Sequence, residues 1–233
     1  MMSLATAARS VLLPLSDVSR LGSLRRSTSL FSQGQVADSI YLIDEGLVKL
    51  TRTNGTGDRI ILCISGPGHV VGEEALGDGT GTYYAEAETL TGATIYRVPR
   101  ETLNRAFASN PELASALTTA IIQQKRGFAE KVELLCLHDV EYRILHYLAE
   151  LTSLVKAAGD SEGYQLPITQ LELADLIGAT RETTSTTLNQ LERRGLVRLS
   201  RRLLTIPSPD TLRTAATARL NGNETPAGIG VSA

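Results

Sequence analysis

The chain has 233 residues, with 23 Lys and Arg against 25 Asp and Glu and a formal net charge of −2. Charge this close to balance excludes a protein that grips polyanions with its whole surface, and the length suits two compact domains better than one. Hydrophobic residues make up 42% of the chain with no Trp and three Phe, so the core must be mainly aliphatic. No apolar run approaches the ~18 residues that a membrane span needs.

Residues 1–28 read as a lead-in. Val11-Leu-Leu-Pro-Leu15 is too short for the apolar region of a secretory signal, so a cytoplasmic location is expected. From Ser29 to Pro99 glycines recur at intervals of roughly ten residues, a spacing that suits short strands joined by turns. Between them lie the apolar runs Ile40–Ile43, Leu47–Leu50, Arg59–Ile64 and Ala93–Val98. Regular short strands with glycine turns predict a β-barrel or sandwich over residues 29–108. Cys63 and Cys136 are too few for a disulfide framework; both fall in apolar runs and are expected to be buried small hydrophobes. His69, His138 and His146 lack ligand spacing, so no metal is expected. The sequence carries no nucleophilic elbow, phosphate loop or dinucleotide fingerprint, and no cofactor is expected. A barrel enzyme of the metal-binding kind needs a His/Glu cluster on neighbouring strands. This segment holds only His69, so catalysis is not expected.

From Arg100 the period becomes helical. Asn110 can cap and Pro111 can open a helix running to about Leu137. Leu113, Leu117, Ile121, Phe128, Val132 and Leu135 recur along it, with Gln124 interrupting the seam. A helix of about 27 residues is too long to bury on one small barrel, so residues 109–137 are read as an intermolecular contact. Leu117, Ile121, Gln124, Phe128 and Leu135 are its candidate seam. Asp139–Leu151 is a second amphipathic helix, and residues 157–163 a polar loop.

The most informative stretch follows. Thr169 and Glu172 have the spacing of a capping box, Leu173, Ala174 and Ile177 line one face, and Gly178 supplies a turn. Thr180 can cap the next helix, in which Thr184, Leu188 and Leu191 face inward. Arg181, Glu182, Ser185, Thr186 and Asn189 face the other way, and Gly195 ends the helix. Small polar side chains with forked donors and acceptors are what a helix in a major groove requires. Leu196–Leu199 and Leu203–Ile206, joined by Ser200-Arg201-Arg202, form a hairpin with two arginines at its tip, the shape of a wing on phosphate. Residues 168–206 carry six Arg against four acids, net +2 in a chain of net −2. Thr169, Gln170, Arg201 and Arg202 are candidate phosphate contacts, and double-stranded DNA is the expected partner. The winged helix-turn-helix is placed at 138–206. The tail at 207–233 has no convincing period and is expected to be loose beyond about Arg219.

Barrel, long helix and winged helix-turn-helix, in that order, resemble the Crp/Fnr family of bacterial transcription regulators. The residues that carry the resemblance are Phe31-x-x-Gly34, Ile40-Tyr-Leu-Ile-x-x-Gly46-x-Val48-Lys, Pro67-Gly-x-x-x-Gly72-Glu73, Glu130-Lys-Val132 and Arg181-Glu-Thr183. The resemblance implies an α+β fold: an N-terminal cyclic-nucleotide-binding-type jelly-roll barrel, a long dimerisation helix and a C-terminal winged helix-turn-helix. It implies a homodimer on a palindromic promoter site, with half-sites about one helical turn apart, and RNA polymerase as a further partner; activation rather than repression is the family habit. By resemblance Arg181 pairs with a guanine and Glu182 with a cytosine amino group. Thr186 stands where the cyclic-AMP receptor protein has a second base-reading arginine, so the half-site should be related to TGTGA without matching it.

The family's effector pocket maps onto Gly72, Glu73, Thr82, Tyr83, Tyr84 and Phe128. Cyclic-nucleotide binders follow Gly-Glu with an arginine that neutralises the cyclic phosphate. Here Gly81-Thr82-Tyr83-Tyr84 has none, and a buried phosphate without its cation is costly. Phe128-Ala129 replaces the hydroxyl pair that touches adenine. The iron–sulfur branch needs N-terminal cysteines, and none precedes residue 63; no axial haem ligand is identifiable. Two readings stay open: a domain that only supports a constitutively active dimer, or a pocket for another effector. A cyclic nucleotide held by a different cation would draw on Arg97 or Arg100.

Overall fold

The computed structural model describes residues 17–77, 79–155 and 163–220. The chain divides into two compact units, residues 1–133 and 134–233. Among the described residues no helix is long and apolar enough to cross a membrane.

The first unit is a sandwich of two four-stranded antiparallel sheets. Its strands are β1 (Ser19–Leu24), β2 (Ser29–Phe31), β3 (Ser39–Glu45), β4 (Val48–Thr53), β5 (Arg59–Ser65), β6 (Val70–Val71), β7 (Glu86–Thr89) and β8 (Ala93–Pro99). One sheet runs β1-β8-β3-β6 and the other β2-β7-β4-β5, so the chain crosses repeatedly between layers as in a jelly roll. Phe31, Ile40, Leu42, Val48 and Ile95 belong to one buried core cluster, each with at most 2% of its surface exposed. Two expectations change here. Strand β1 lies inside the segment read as a lead-in; its ladder with β8 is interrupted between Leu21 and Leu24, where Ser23 takes a positive φ, so no clean alternation marks it. The Val11–Leu15 run lies outside the described residues. Cys63 is only half-buried and Cys136 is exposed, so neither is the core residue that its apolar neighbours suggested.

Helices α1 (Arg100–Ser109) and α2 (Pro111–Leu137) follow β8. The Asn110 carboxamide oxygen accepts from the Leu113 backbone N–H at 3.3 Å, as a cap should. Leu113 and Leu117 are buried in the sandwich core. Leu117 therefore packs within its own chain, and the candidate intermolecular seam begins after it. Further along, Ile122 and Val132 are each 60% exposed.

In the second unit Asp139 caps α3 (Val140–Ser153), its carboxylate accepting from the Tyr142 N–H at 2.9 Å. Then come β9 (Tyr164–Leu166), α4 (Gln170–Ile177), α5 (Arg181–Arg193), β10 (Arg198–Ser200), β11 (Leu203–Ile206) and α6 (Pro209–Leu220), with a small sheet ordered β10-β11-β9. Helix α6 corrects the reading of residues 207–220 as irregular tail. Its Thr- and Ala-rich sequence buries only Leu212 and Ala215, too few to show a period, and Arg219 pins its end to Asp139 at 2.7 Å. The loose segment expected beyond Arg219, like most of the polar loop at 157–163, falls outside the described residues.

Candidate nucleic-acid interface

Local chemistry sets the helix-turn-helix. Thr169 and Glu172 form a complete capping box: the threonine oxygen accepts from the Glu172 N–H at 3.1 Å, and the carboxylate accepts from the Thr169 N–H at 2.9 Å. Gly178 sits at φ 63°, ψ 46°, and a Cβ there would lie 2.8 Å from Leu135. The turn therefore favours glycine for its left-handed backbone, and a Cβ would also displace the Leu135 side chain. Thr180 caps α5 by accepting from the Thr183 N–H at 3.2 Å.

Helix α5 then sorts its faces as expected. Leu188 and Leu191 are fully buried, and so is Thr184, whose hydroxyl donates to the Thr180 carbonyl at 2.8 Å. That bond explains how a threonine occupies an inward position that favours a larger apolar residue: its polar atom is satisfied inside the helix. Thr187 does the same toward Thr183. On the outer face Arg181, Glu182, Thr186 and Asn189 are exposed and Ser185 is half-buried. Small side chains at 185 and 186 leave the helix barrel accessible between the longer arms of 181, 182 and 189.

Past α5 the chain makes the wing. Arg201 and Arg202 are exposed at the β10–β11 turn, which the Ser200 hydroxyl closes by donating to the Leu203 carbonyl at 2.9 Å. Gln170 is half-buried at the start of α4. Thr169, a candidate phosphate contact, also has a task in the cap. Its oxygen accepts from the Glu172 N–H while its proton goes to the Glu172 carboxylate at 2.9 Å, and that proton can turn to a phosphate with both bonds of the capping box kept. Replacing Thr169 with alanine should destabilise the second unit by about 0.5–2 kcal/mol. A thermal melt showing no loss would remove the cap from the account.

Three positioning contacts escaped sequence reasoning because they join residues distant in the chain. The Arg143 guanidinium on α3 donates to the Ile177 carbonyl at 2.7 Å, satisfying the C-terminal end of α4. Arg194 bridges to Glu141 at 2.5 Å, so one of the six arginines of the basic segment is neutralised on the scaffold. Arg219 joins Asp139, whose carboxyl is held below its ordinary value despite burial by its bonds to the Tyr142 N–H and Arg219.

The sandwich positions that map onto the family's effector pocket differ in burial. Tyr83 is 1% exposed and stacks on Phe31 with ring centroids 3.9 Å apart. Its hydroxyl donates to the Ser39 carbonyl at 2.7 Å and accepts from the Ser39 N–H at 3.2 Å. Tyr84 is 59% exposed, with the Arg52 guanidinium 4.0 Å from its ring centroid. The Tyr84 N–H donates to Glu74, and its carbonyl accepts from Arg52. Thr82 is exposed and pairs with Val36. Gly72 takes φ 84° and lies against Tyr83 and Phe31. Burial pushes the Glu73 carboxyl above its ordinary value, with the Glu74 charge adding to the rise, while Gln124 of α2 faces it and opposes the shift. Phe128 is half-buried. Arg97 forms an ion pair with Asp38 at 3.1 Å, and Arg100 donates to the Ala37 carbonyl. Both arginines are thus engaged with the segment before β3.

A jelly-roll sandwich followed by a long helix and a winged helix-turn-helix with an exposed polar face on its second helix has the make-up of a DNA-binding regulator. Two family models match: the cyclic nucleotide-binding domain over residues 21–110 and the Crp-like helix-turn-helix domain over residues 142–215. The chain is 30% identical over 195 residues to a CRP-like cAMP-activated global transcriptional regulator of Mycobacterium tuberculosis, covering 82% of this chain and 85% of that one. It is 31% identical over 199 residues to the nitrogen fixation regulation protein FixK of Azorhizobium caulinodans, covering 82% and 78%. A solved CRP-family transcriptional regulator from Thermus thermophilus superposes with a TM-score of 0.72 at 26% identity, covering 85% of this chain and 96% of that one. The chain belongs to the Crp/Fnr family of DNA-binding transcription regulators.

Proposed function

We propose that the protein is a cytoplasmic homodimer that binds a palindromic, TGTGA-related promoter element and activates transcription with RNA polymerase, without requiring cyclic AMP. The reading rests above all on the outer face of α5, where exposed Arg181 and Glu182 lead a run of small polar side chains. In this reading Arg181, Glu182, Ser185, Thr186 and Asn189 read base edges, while Thr169, Gln170, Arg201 and Arg202 hold phosphate. The apolar surface at Ile121 (36% exposed), Ile122 and Val132 on α2 supports pairing with a second copy. Independence from cyclic AMP is supported by Tyr83, whose ring fills the space beside Gly72 and whose hydroxyl is tied to the backbone. The Tyr84 backbone is likewise occupied, by Glu74 and Arg52.

Fluorescence anisotropy on a TGTGA-type palindrome and on scrambled DNA, with and without cyclic AMP or cyclic GMP, tests this. Tight, selective binding that ignores nucleotide is expected; binding that appears only with a nucleotide would replace it with a ligand-gated switch. Arg201→Ala should weaken both DNAs alike and reduce the salt slope by about one. A loss confined to the palindrome would instead make Arg201 a base reader.

A further inference from the structure

Glu192 stands where a carboxylate is unwelcome. Residues 182, 185, 189 and 192 recur at three and four, which places Glu192 on the DNA-facing side of α5, in the last turn. A negative charge there opposes both the negative end of the helix dipole and an approaching phosphate backbone. The structure shows what it does instead: its Oε1 accepts from the Leu199 backbone N–H at 2.7 Å. Leu199 lies in β10, an outer strand of the three-stranded sheet, opposite Leu204 of β11. The edge of such a strand presents backbone N–H groups that no neighbouring strand can take. Glu192 takes this one, joining the reading helix to the wing two residues before Arg201. From this geometry we infer that Glu192 is a positioning residue that holds the wing at a fixed place beside α5, so that Arg201 and Arg202 meet phosphate when α5 meets bases. The inference rests on the wing reading proposed above.

Its sign makes it testable. If Glu192 acted only as a charge, removing it would tighten DNA binding. As a tether, Glu192→Ala loosens the wing and weakens binding to palindromic and scrambled DNA by a similar factor, about three- to tenfold for one lost charge-assisted hydrogen bond. The salt slope should fall in magnitude by up to about two, one per wing arginine. Glu192→Gln keeps an acceptor oxygen and should bind at least as tightly as the parent, which also controls for folding. In an Arg201→Ala/Arg202→Ala background Glu192→Ala should cost nothing more. Amide hydrogen exchange supplies a readout independent of DNA: Leu199 should exchange faster in Glu192→Ala, with the core amides of α5 unchanged. Tighter binding by Glu192→Ala, or unchanged exchange at Leu199, overturns the tether. If the arginine pair alone leaves DNA affinity and salt slope untouched, the wing reading fails, and the exchange result still decides whether Glu192 holds the hairpin.

Discussion

Tyr83→Ala should destabilise the sandwich unit by about 3–5 kcal/mol, the range for deleting a large buried aromatic side chain from a core. Tyr83 is 1% exposed and is among the largest fully buried side chains. Three losses combine in the alanine variant: the transfer free energy of the ring, its stacking on Phe31, and the hydrogen bonds that tie the hydroxyl to both backbone groups of Ser39. Tyr83→Phe separates them. It keeps the ring and leaves the Ser39 N–H and carbonyl short of a partner, which should cost about 1–3 kcal/mol. Urea melts of the two variants should therefore fall in that order. An alanine variant within about 1 kcal/mol of the parent would show that the ring is replaceable packing, since a typical point substitution costs that much.

The same variant probes the sandwich's part in function. Removing the ring opens space beside Gly72 without supplying a cation. On the proposed reading that the protein needs no cyclic AMP, a folded Tyr83→Ala protein still ignores the nucleotide where lack of a cation is what excludes it. If the tyrosine itself excludes the nucleotide, the variant gains affinity for it. The experiment thus asks whether shape or electrostatics sets the response, and the cost of burying an unpaired phosphate favours electrostatics.

What the sequence disclosed, and what it hid, follows the reach of each interaction. The helix-turn-helix was legible because its signals are local: Thr169 caps Glu172 three residues on, Gly178 needs its left-handed turn, and Thr180 caps Thr183. The jelly roll was legible as a class from glycine-spaced strands, yet β1 was not, because its ladder is broken at Ser23. Adjacent Tyr83 and Tyr84 point to opposite sides of the chain, one buried and one exposed, and nothing in the pair says which is which. In Leu134-Leu-Cys-Leu137 four apolar residues cannot all face one side of a helix; only Leu134 is buried, and Leu137 is 72% exposed. Contacts such as Glu192 to Leu199 or Arg143 to Ile177 depend on how a strand or helix comes to rest beside another. No spacing rule encodes them.

Arg181→Ala should lower affinity for the specific site by about 1–3 kcal/mol per half-site and relax the preference at one base pair, since a bidentate arginine contact to guanine carries that much discrimination. Arg181 is the first residue of α5, directly after the Thr180 cap, and is exposed. The N-terminal end of a recognition helix is the part that enters the groove. The cap fixes where that end lies, so Arg181→Ala removes the side chain proposed to read bases while the helix that carries it stays in place. Anisotropy titrations against a set of palindromes, each changed at one symmetric position, distinguish reading from attraction. A base reader loses affinity for the parent site and becomes indifferent to one position; a phosphate contact lowers every curve equally and flattens the salt dependence. Equal loss on palindromic and scrambled DNA would falsify base reading by Arg181. Glu182 gives the matched control, because removing an acid near DNA should raise non-specific affinity while loosening the choice at its own base pair. Opposite shifts in non-specific affinity for the two variants, with parallel loss of selectivity, are the signature expected of an Arg-Glu pair that reads bases.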